Sequence, residues 1–140
     1  MLINKPLKLV IDTNLWISFI ISKKLNQLEP ILFTENCRIL FSIELVEELE
    51  ATIKKPKLQK YFSENALEEM LTIFDLYIDF VKIKSKIEIC RDSKDDFLLA
   101  LAKDGKVSFL ITGDNDLLEI GQFGETSIIK ITDFIKKSKR

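Results

Sequence analysis

The chain has 140 residues, with 21 Lys and Arg against 22 Asp and Glu, two cysteines and no histidine. A chain of this length is expected to form one domain over residues 1–140 and to bury about 70% of the surface its unfolded form exposes, which is enough for a core without disulfide staples. Lack of histidine excludes Ser-His-Asp and Cys-His devices, a histidine general base and histidine-bound zinc, and two cysteines exclude a four-cysteine zinc site, so any chemistry falls to carboxylates, hydroxyls, amines and an oxygen-preferring metal.

The opening segment MLINKPLKLVID lacks the apolar run and small-residue cleavage site of a signal peptide. Residues 8–12 (KLVID) form a short apolar run rich in branched residues, which predicts a buried strand ending at Asp12. Thr13 and Asn14 open a predicted helix through Ser22. Its apolar stretch, residues 15–22, falls far short of the ~20 residues a membrane span needs. Trp16 and Phe19 on this helix read as core residues. A second helix is expected over 26–33, limited by Pro30 unless that proline lies in the first turn. Cys37 and Cys90 lie in apolar or strand-like stretches, as buried thiols of a reducing cytoplasm do.

Residues 38–42 (RILFS) predict a second strand, and Ser42 can cap a helix over 43–55 that stops before Pro56. Ser63 is placed to cap a long helix over 64–81, because Leu67, Met70, Leu71, Phe74 and Tyr77 or Ile78 keep helical spacing. Residues 87–89 (IEI) are a weak strand. Residues 92–105 read as a loop and a helix ended by Gly105. Strand 108–112 (SFLIT), a short helix over 114–120, a strand over 127–131 and a closing helical turn over 133–137 complete the order. Strands alternating with helices predict a parallel sheet covered on both faces, with ligands outside the carboxyl ends of the strands.

The net charge of −1 hides a segregation. Six of the ten aspartates fall between residues 92 and 116, while lysines collect at 54, 55, 57 and 60, at 82, 84 and 86, and at 136, 137 and 139 beside Arg140. Each basic run reads either as a solvated face or as a flank that holds a polyanion. Asp12 ends the first strand, and Asp114 and Asp116 follow strand 108–112 after Thr112 and Gly113. Asp95 and Asp96 open the helix before that strand, and Glu48 lies two turns beyond Ser42. A parallel sheet brings these ends together. Carboxylates a few ångströms apart repel, and a hard divalent cation such as Mg²⁺ or Mn²⁺ relieves the repulsion. Such an ion can activate water and neutralise phosphodiester charge without histidine. Each acid also has a plain structural role open to it: a turn or cap for Asp12, Asp114 and Asp116, a helix-start charge for Asp95 or Asp96, and a solvated acidic helix face for Glu48 beside Glu44, Glu47 and Glu50.

Four pieces, VIDTN (10–14), SIELVEELEATIKKPKL (42–58), CRDSKDDFLLALA (90–102) and FLITGDNDLL (109–118), together resemble the PIN domain family of metal-dependent ribonucleases, and they occur in that family's order over nearly the whole chain. The look is nearest to the bacterial subgroup of toxins from toxin–antitoxin systems. The resemblance implies a three-layer α/β/α fold with a central parallel sheet. It implies an active endoribonuclease in which Asp12, Asp95 and Asp114 or Asp116 bind one or two Mg²⁺ or Mn²⁺ ions, with Asp96 the close rival of Asp95. Glu48 would help hold a second ion or position water. Asn14 stands beside the first acid, and Ser42 and Thr112 orient carboxylates or the scissile phosphate. Lys54, Lys55, Lys57 or Lys94 would meet flanking phosphates of single-stranded or looped RNA. Ser93 stands where near relatives usually carry proline, with the acids intact. A homodimer, a cognate antitoxin, a cytoplasmic setting and no membrane association are implied as well.

Three other readings compete. A doubly wound phosphoacceptor module needs an aspartate at the end of a middle strand, where this chain has Ser42. A haloacid-type phosphatase needs an acid at position 14, which is Asn14. A non-catalytic module that keeps the fold and binds RNA or a protein partner is the remaining alternative.

Overall fold

The computed structural model describes residues 6–22, 24–90 and 95–138, so the expectations at Asp92, Ser93, Lys94, Lys139, Arg140 and the first five residues lie outside the described residues. Six strands form one sheet in the order β3-β2-β1-β4-β6-β5, where β1 is Leu7–Ile11, β2 Cys37–Phe41, β3 Ile78–Phe80, β4 Phe109–Ile111, β5 Gln122–Phe123 and β6 Thr126–Ile129. All pairings are parallel except β5 with β6. In the centre, Leu9 stands opposite Ile39 on one side and Phe109 on the other. Leu9, Val10 and Ile11 are all buried, which is why the strand reads as a continuous apolar run rather than an alternation.

Seven helices flank the sheet among the described residues: α1 (Thr13–Ser22), α2 (Leu25–Thr34), α3 (Ile43–Ile53), α4 (Ala66–Ile73), α5 (Asp96–Gly105), α6 (Asn115–Ile120) and α7 (Ile131–Ser138). The α/β class and the predominantly parallel sheet follow the expectation. Pro30 lies inside α2, well past its first turn. The helix continues through it because Leu28 and Leu32, on either side, are both buried in the core. Ser42 caps α3 as expected, accepting the Leu45 N–H at 3.2 Å.

The long helix expected over 64–81 is three elements. α4 ends at Ile73, a 3₁₀ turn covers Asp75–Tyr77, and Ile78–Phe80 forms the edge strand β3. The helical spacing up to Phe74 is real, but Phe74 turns into the core against Trp16, with ring centroids 5.5 Å apart. Beyond it, pairing with β2 captures the branched and aromatic residues. Arg38 on β2 grips Asp79 with Nε at 3.0 Å and Nη2 at 2.6 Å and donates to the Leu76 carbonyl at 2.7 Å. Ser63 is not the cap of α4; Asn65 holds that position. Residues 87–89 form no strand, and β5 is an addition that no expectation contained.

Gly105 is the last residue of α5, and the left-handed residue that ends the helix is Lys106, at φ 53°. The glycine is required for another reason: a Cβ there would lie 2.1 Å from Leu40 Cδ2. Helix α5 therefore presses directly on the sheet.

Phe74 has no exposed surface, whereas Leu76, two residues later, is 80% exposed. Phe74→Ala is expected to cost about 3–5 kcal/mol in urea unfolding. Leu76→Ala should stay within about 0.5 kcal/mol of the parent.

Candidate metal centre

The carboxyl ends of β1 and β4 are adjacent strand ends, and each runs directly into a helix. Asp12 follows β1 and takes the N-cap position of α1, its carbonyl accepting the Trp16 N–H at 3.1 Å and its Oδ1 the Asn14 N–H at 3.4 Å. Its own N–H donates to the Ile111 carbonyl at 3.0 Å, which extends the β1–β4 pairing past both strands. Thr112, the residue after β4, donates its hydroxyl to Asp12 Oδ2 at 2.6 Å. The same hydroxyl accepts the Asp114 N–H at 3.0 Å, and Asp114 in turn caps α6 by accepting the Asp116 N–H at 2.8 Å. One threonine thus links the two strand ends and sets the position of both acids.

Asp12 is 5% exposed. Burial pushes its carboxyl above the usual range; the hydrogen bonds from Thr112 and the Asn14 amide pull it back down, and the charge of Asp114 pushes it up again. Among the described residues, no lysine or arginine pairs with it. The hydroxyl of Thr13, in the next position, is buried without a hydrogen-bond partner.

The remaining acids approach from α5 and α3. Asp95 holds the N-cap position of α5. Asp96 turns its carboxylate back onto the preceding segment, accepting the N–H groups of Ile89 at 3.1 Å and Cys90 at 2.8 Å. Those donors hold Asp96 below the usual carboxylate range. The Cys90 thiol is half-buried between these groups. Burial first, then the hydrogen bond and charge of Asp96 and the charges of Asp95 and Asp114, push it up to about 12 and keep it neutral. The sequence reading took it for a core thiol; the available signal was its place directly before the acidic run.

Glu48 lies elsewhere on the rim. It shares a shallow depression with Glu44, Glu47 and Phe97, which places the acidic face of α3 against the first turn of α5. No hydrogen bond joins Glu48 to the Asp12 group among the described residues. Glu44, in the first turn of α3, has a buried carboxylate oxygen without a partner, a feature that residue type and spacing did not single out. Ser42 spends its oxygen on the α3 cap, and Asn14 is exposed beside Asp12.

The donors suit a hard divalent cation in kind: carboxylate oxygens, a desolvated carboxylate with no cationic neighbour, and a second carboxylate raising its proton affinity. Among the described residues, no three acid or thiol groups stand together as a closed cage. A small ion that keeps most of its water and takes one or two carboxylates needs no such cage.

The family model of the PIN domain matches residues 8–116. The chain is 29% identical over 130 residues to the uncharacterised protein MJ1680 of Methanocaldococcus jannaschii, covering 91% of this chain and 82% of that one. Its structure is similar to that of VapBC2 from Rickettsia felis bound to a DNA fragment from their promoter, with a TM-score of 0.57 and 16% identity over 87% of this chain and 97% of that chain. At that identity the similarity is one of fold.

Because the Asp12 carboxyl is raised above its unfolded value, its contribution to stability is present at acid pH and lost as pH rises through the folded value. In EDTA at pH 7, Asp12→Asn is expected to melt above the parent, since it keeps an acceptor for Asn14 and removes the desolvated charge. The difference should shrink by pH 3.5. A variant that melts well below the parent in EDTA would mark Asp12 as structural.

Proposed function

The chain belongs to the PIN domain family, and from that premise we propose that it is a divalent-cation-dependent ribonuclease that hydrolyses RNA phosphodiester bonds as the toxin of a toxin–antitoxin pair. The observation that carries this reading is the Asp12 carboxylate, buried at a strand end, coupled to Asp114 and lacking any cationic side chain. Placing a bare charge there costs stability unless a counter-ion arrives. When bound, Mg²⁺ or Mn²⁺ supplies positive charge to a scissile phosphate and lowers the pKa of water.

The protein groups divide the work. Asp12 and Asp114 hold the ion, with Thr112 fixing the Asp12 oxygen by its hydroxyl. Asp116, in the first turn of α6, is an alternative ligand. Asp95 is the ligand from α5, with Asp96 its close rival; Asp96 also accepts two backbone N–H groups and keeps the preceding segment in place. Glu48, with Glu44 beside it, receives a second ion or orients water from the α3 side. The N-termini of α1, α5 and α6 face the site and favour anionic groups there. The reduced thiols of Cys37 and Cys90 suit a cytoplasmic setting, and no helix among the described residues is long and apolar enough to cross a membrane. The likeness to VapBC2 supports a cognate antitoxin as partner; a homodimer is part of the same proposal.

A non-catalytic module that binds RNA or a protein is the second reading, favoured by the lack of a preformed three-group cage among the described residues. Labelled single-stranded RNA separates the two. Cleavage in Mn²⁺, abolished by EDTA and reduced by about 100-fold or more in Asp12→Asn, is the expected result. RNA bound but left intact by the parent protein in Mn²⁺ would favour the binding module.

Asp95 and Asp96 differ in a second way. Asp95→Asn should lose cleavage and keep the parent melting temperature. Asp96→Ala should lower the melting temperature and raise amide exchange at Ile89 and Cys90, because those N–H groups lose their acceptor. Exchange at both amides unaffected by Asp96→Ala would remove the distinction drawn between the two acids.

A further inference from the structure

The Val81 N–H still donates to the Phe41 carbonyl, at 2.8 Å; residues 82–90 form no sheet pairing and no helix, yet they are pinned to α5 at 84–85 and 89–90. Asp104, near the end of α5, accepts the N–H groups of Lys84 at 2.6 Å and Ser85 at 2.8 Å, and also the Ser85 hydroxyl. Asp96, at the start of α5, accepts those of Ile89 and Cys90. The segment therefore runs alongside α5 in the opposite direction, ending at Cys90 beside the first residue of α5. Over residues 81–88 its side chains alternate. Val81, Ile83, Ser85 and Ile87 are half-buried, while Lys82, Lys84, Lys86 and Glu88 are exposed. Val81, Ile83 and Ile87 pack on the core, which fixes the face that the lysines present.

From this arrangement we propose that Lys82, Lys84 and Lys86 form a phosphate-binding track that guides a single RNA strand to the acidic centre, a proposal that rests on the ribonuclease reading. Alternate residues of an extended chain lie ~6.6 Å apart, so three ammonium groups line up at regular intervals along a strand path. Three lysines outnumber the exposed Glu88 on their face and Asp104 beneath it, so the face is net positive, and the ion pairs among the described residues are Arg38–Asp79 and Lys54–Glu50. The second of these engages one of the lysines the family resemblance puts forward for phosphate contact. The track ends four residues before Cys90, ~13 Å in an extended chain, which sets the bound strand to continue into the acids. Point charges on phosphates read no base, so the track is sequence-tolerant. Because the segment is already fastened to α5, little ordering is needed on binding.

The test measures binding of a labelled single-stranded RNA in EDTA, where cleavage cannot occur, as a function of salt. Replacing Lys82, Lys84 and Lys86 by Gln should lower the slope of log K against log salt by about 2 and weaken binding at low salt by about 10-fold or more. The Lys→Arg triple variant should restore both, and both triples should melt with the parent, since the side chains are exposed. In Mn²⁺ the Gln triple should raise KM and leave kcat near the parent value. A parent that cleaves RNA while the Gln triple binds and cleaves with unchanged slope and KM would overturn the track and leave the ribonuclease reading standing. Loss confined to a Lys54, Lys55, Lys57→Gln triple would overturn it in favour of that set. A polyglutamate peptide that binds as tightly as RNA, and loses as much in the Lys82, Lys84, Lys86 triple, would overturn it in favour of an acidic protein partner. A parent that neither binds nor cleaves RNA would overturn the track and the reading beneath it together.

Discussion

The hydroxyl of Thr112 between Asp12 and Asp114 is the interaction on which the site depends. It donates to one acid through its hydrogen and accepts the backbone N–H of the other, joining residues 100 positions apart in sequence. It can do so because β1 and β4 are parallel neighbours in register, Ile11 opposite Ile111, so that the next residues of both strands emerge side by side. A buried carboxylate held by the Thr112 hydroxyl and the Asn14 and Thr13 amides, with the charge of Asp114 nearby, is incompletely compensated, and its raised proton affinity expresses that. The strand pairing holds the charge in place; the burial gives it reason to seek a cation.

Helix α5 plays the complementary part. It presses on β2 through Gly105 at Leu40, and its two ends clamp the segment that precedes it. Asp96 and Asp104 serve as backbone acceptors, so two of the six clustered aspartates are structural in their contacts. Clamping has a consequence for charge. It turns Lys82, Lys84 and Lys86 outward together, against Glu88 on the same face and Asp104 beneath it. A net charge of −1 is then the sum of an acidic pocket and a separate basic face, and it says nothing by itself about affinity for a polyanion.

The sequence reading succeeded where one pattern had one outcome. The apolar centres of the runs at 8–12 and 38–42 became the buried strands β1 and β2, and Ser42 before an amphipathic run became a cap. It failed where local periodicity and long-range pairing disagreed. Leu67, Met70 and Phe74 keep a helical phase, yet Ile78, Asp79 and Phe80 find a partner in β2 that no local rule can reveal, and the Arg38 grip on Asp79 closes that edge. Gly105 was read as a left-handed terminator when its role is the close approach to Leu40, a contact across 65 positions. Strand β5 escaped notice because two residues carry too little pattern, and its turn at Gly124, φ 59°, becomes meaningful only with β6 beside it.

Residue type and order determined the chemistry open to this chain: no histidine, carboxylates at the ends of apolar strands, and hydroxyls next to them. These follow from composition and from the fact that strand ends can be read locally. Tertiary structure alone decided which acids face one another and which are used up. It turned Asp96 toward the Ile89 and Cys90 amides, buried Asp12 under the Thr112 hydroxyl with no lysine or arginine paired to it among the described residues, and set Phe97 of α5 beside the acidic face of α3. Desolvation and hydrogen-bond partners are properties of the packed molecule, set by strand register and helix contact across long sequence separations, and no single position carries them in its identity.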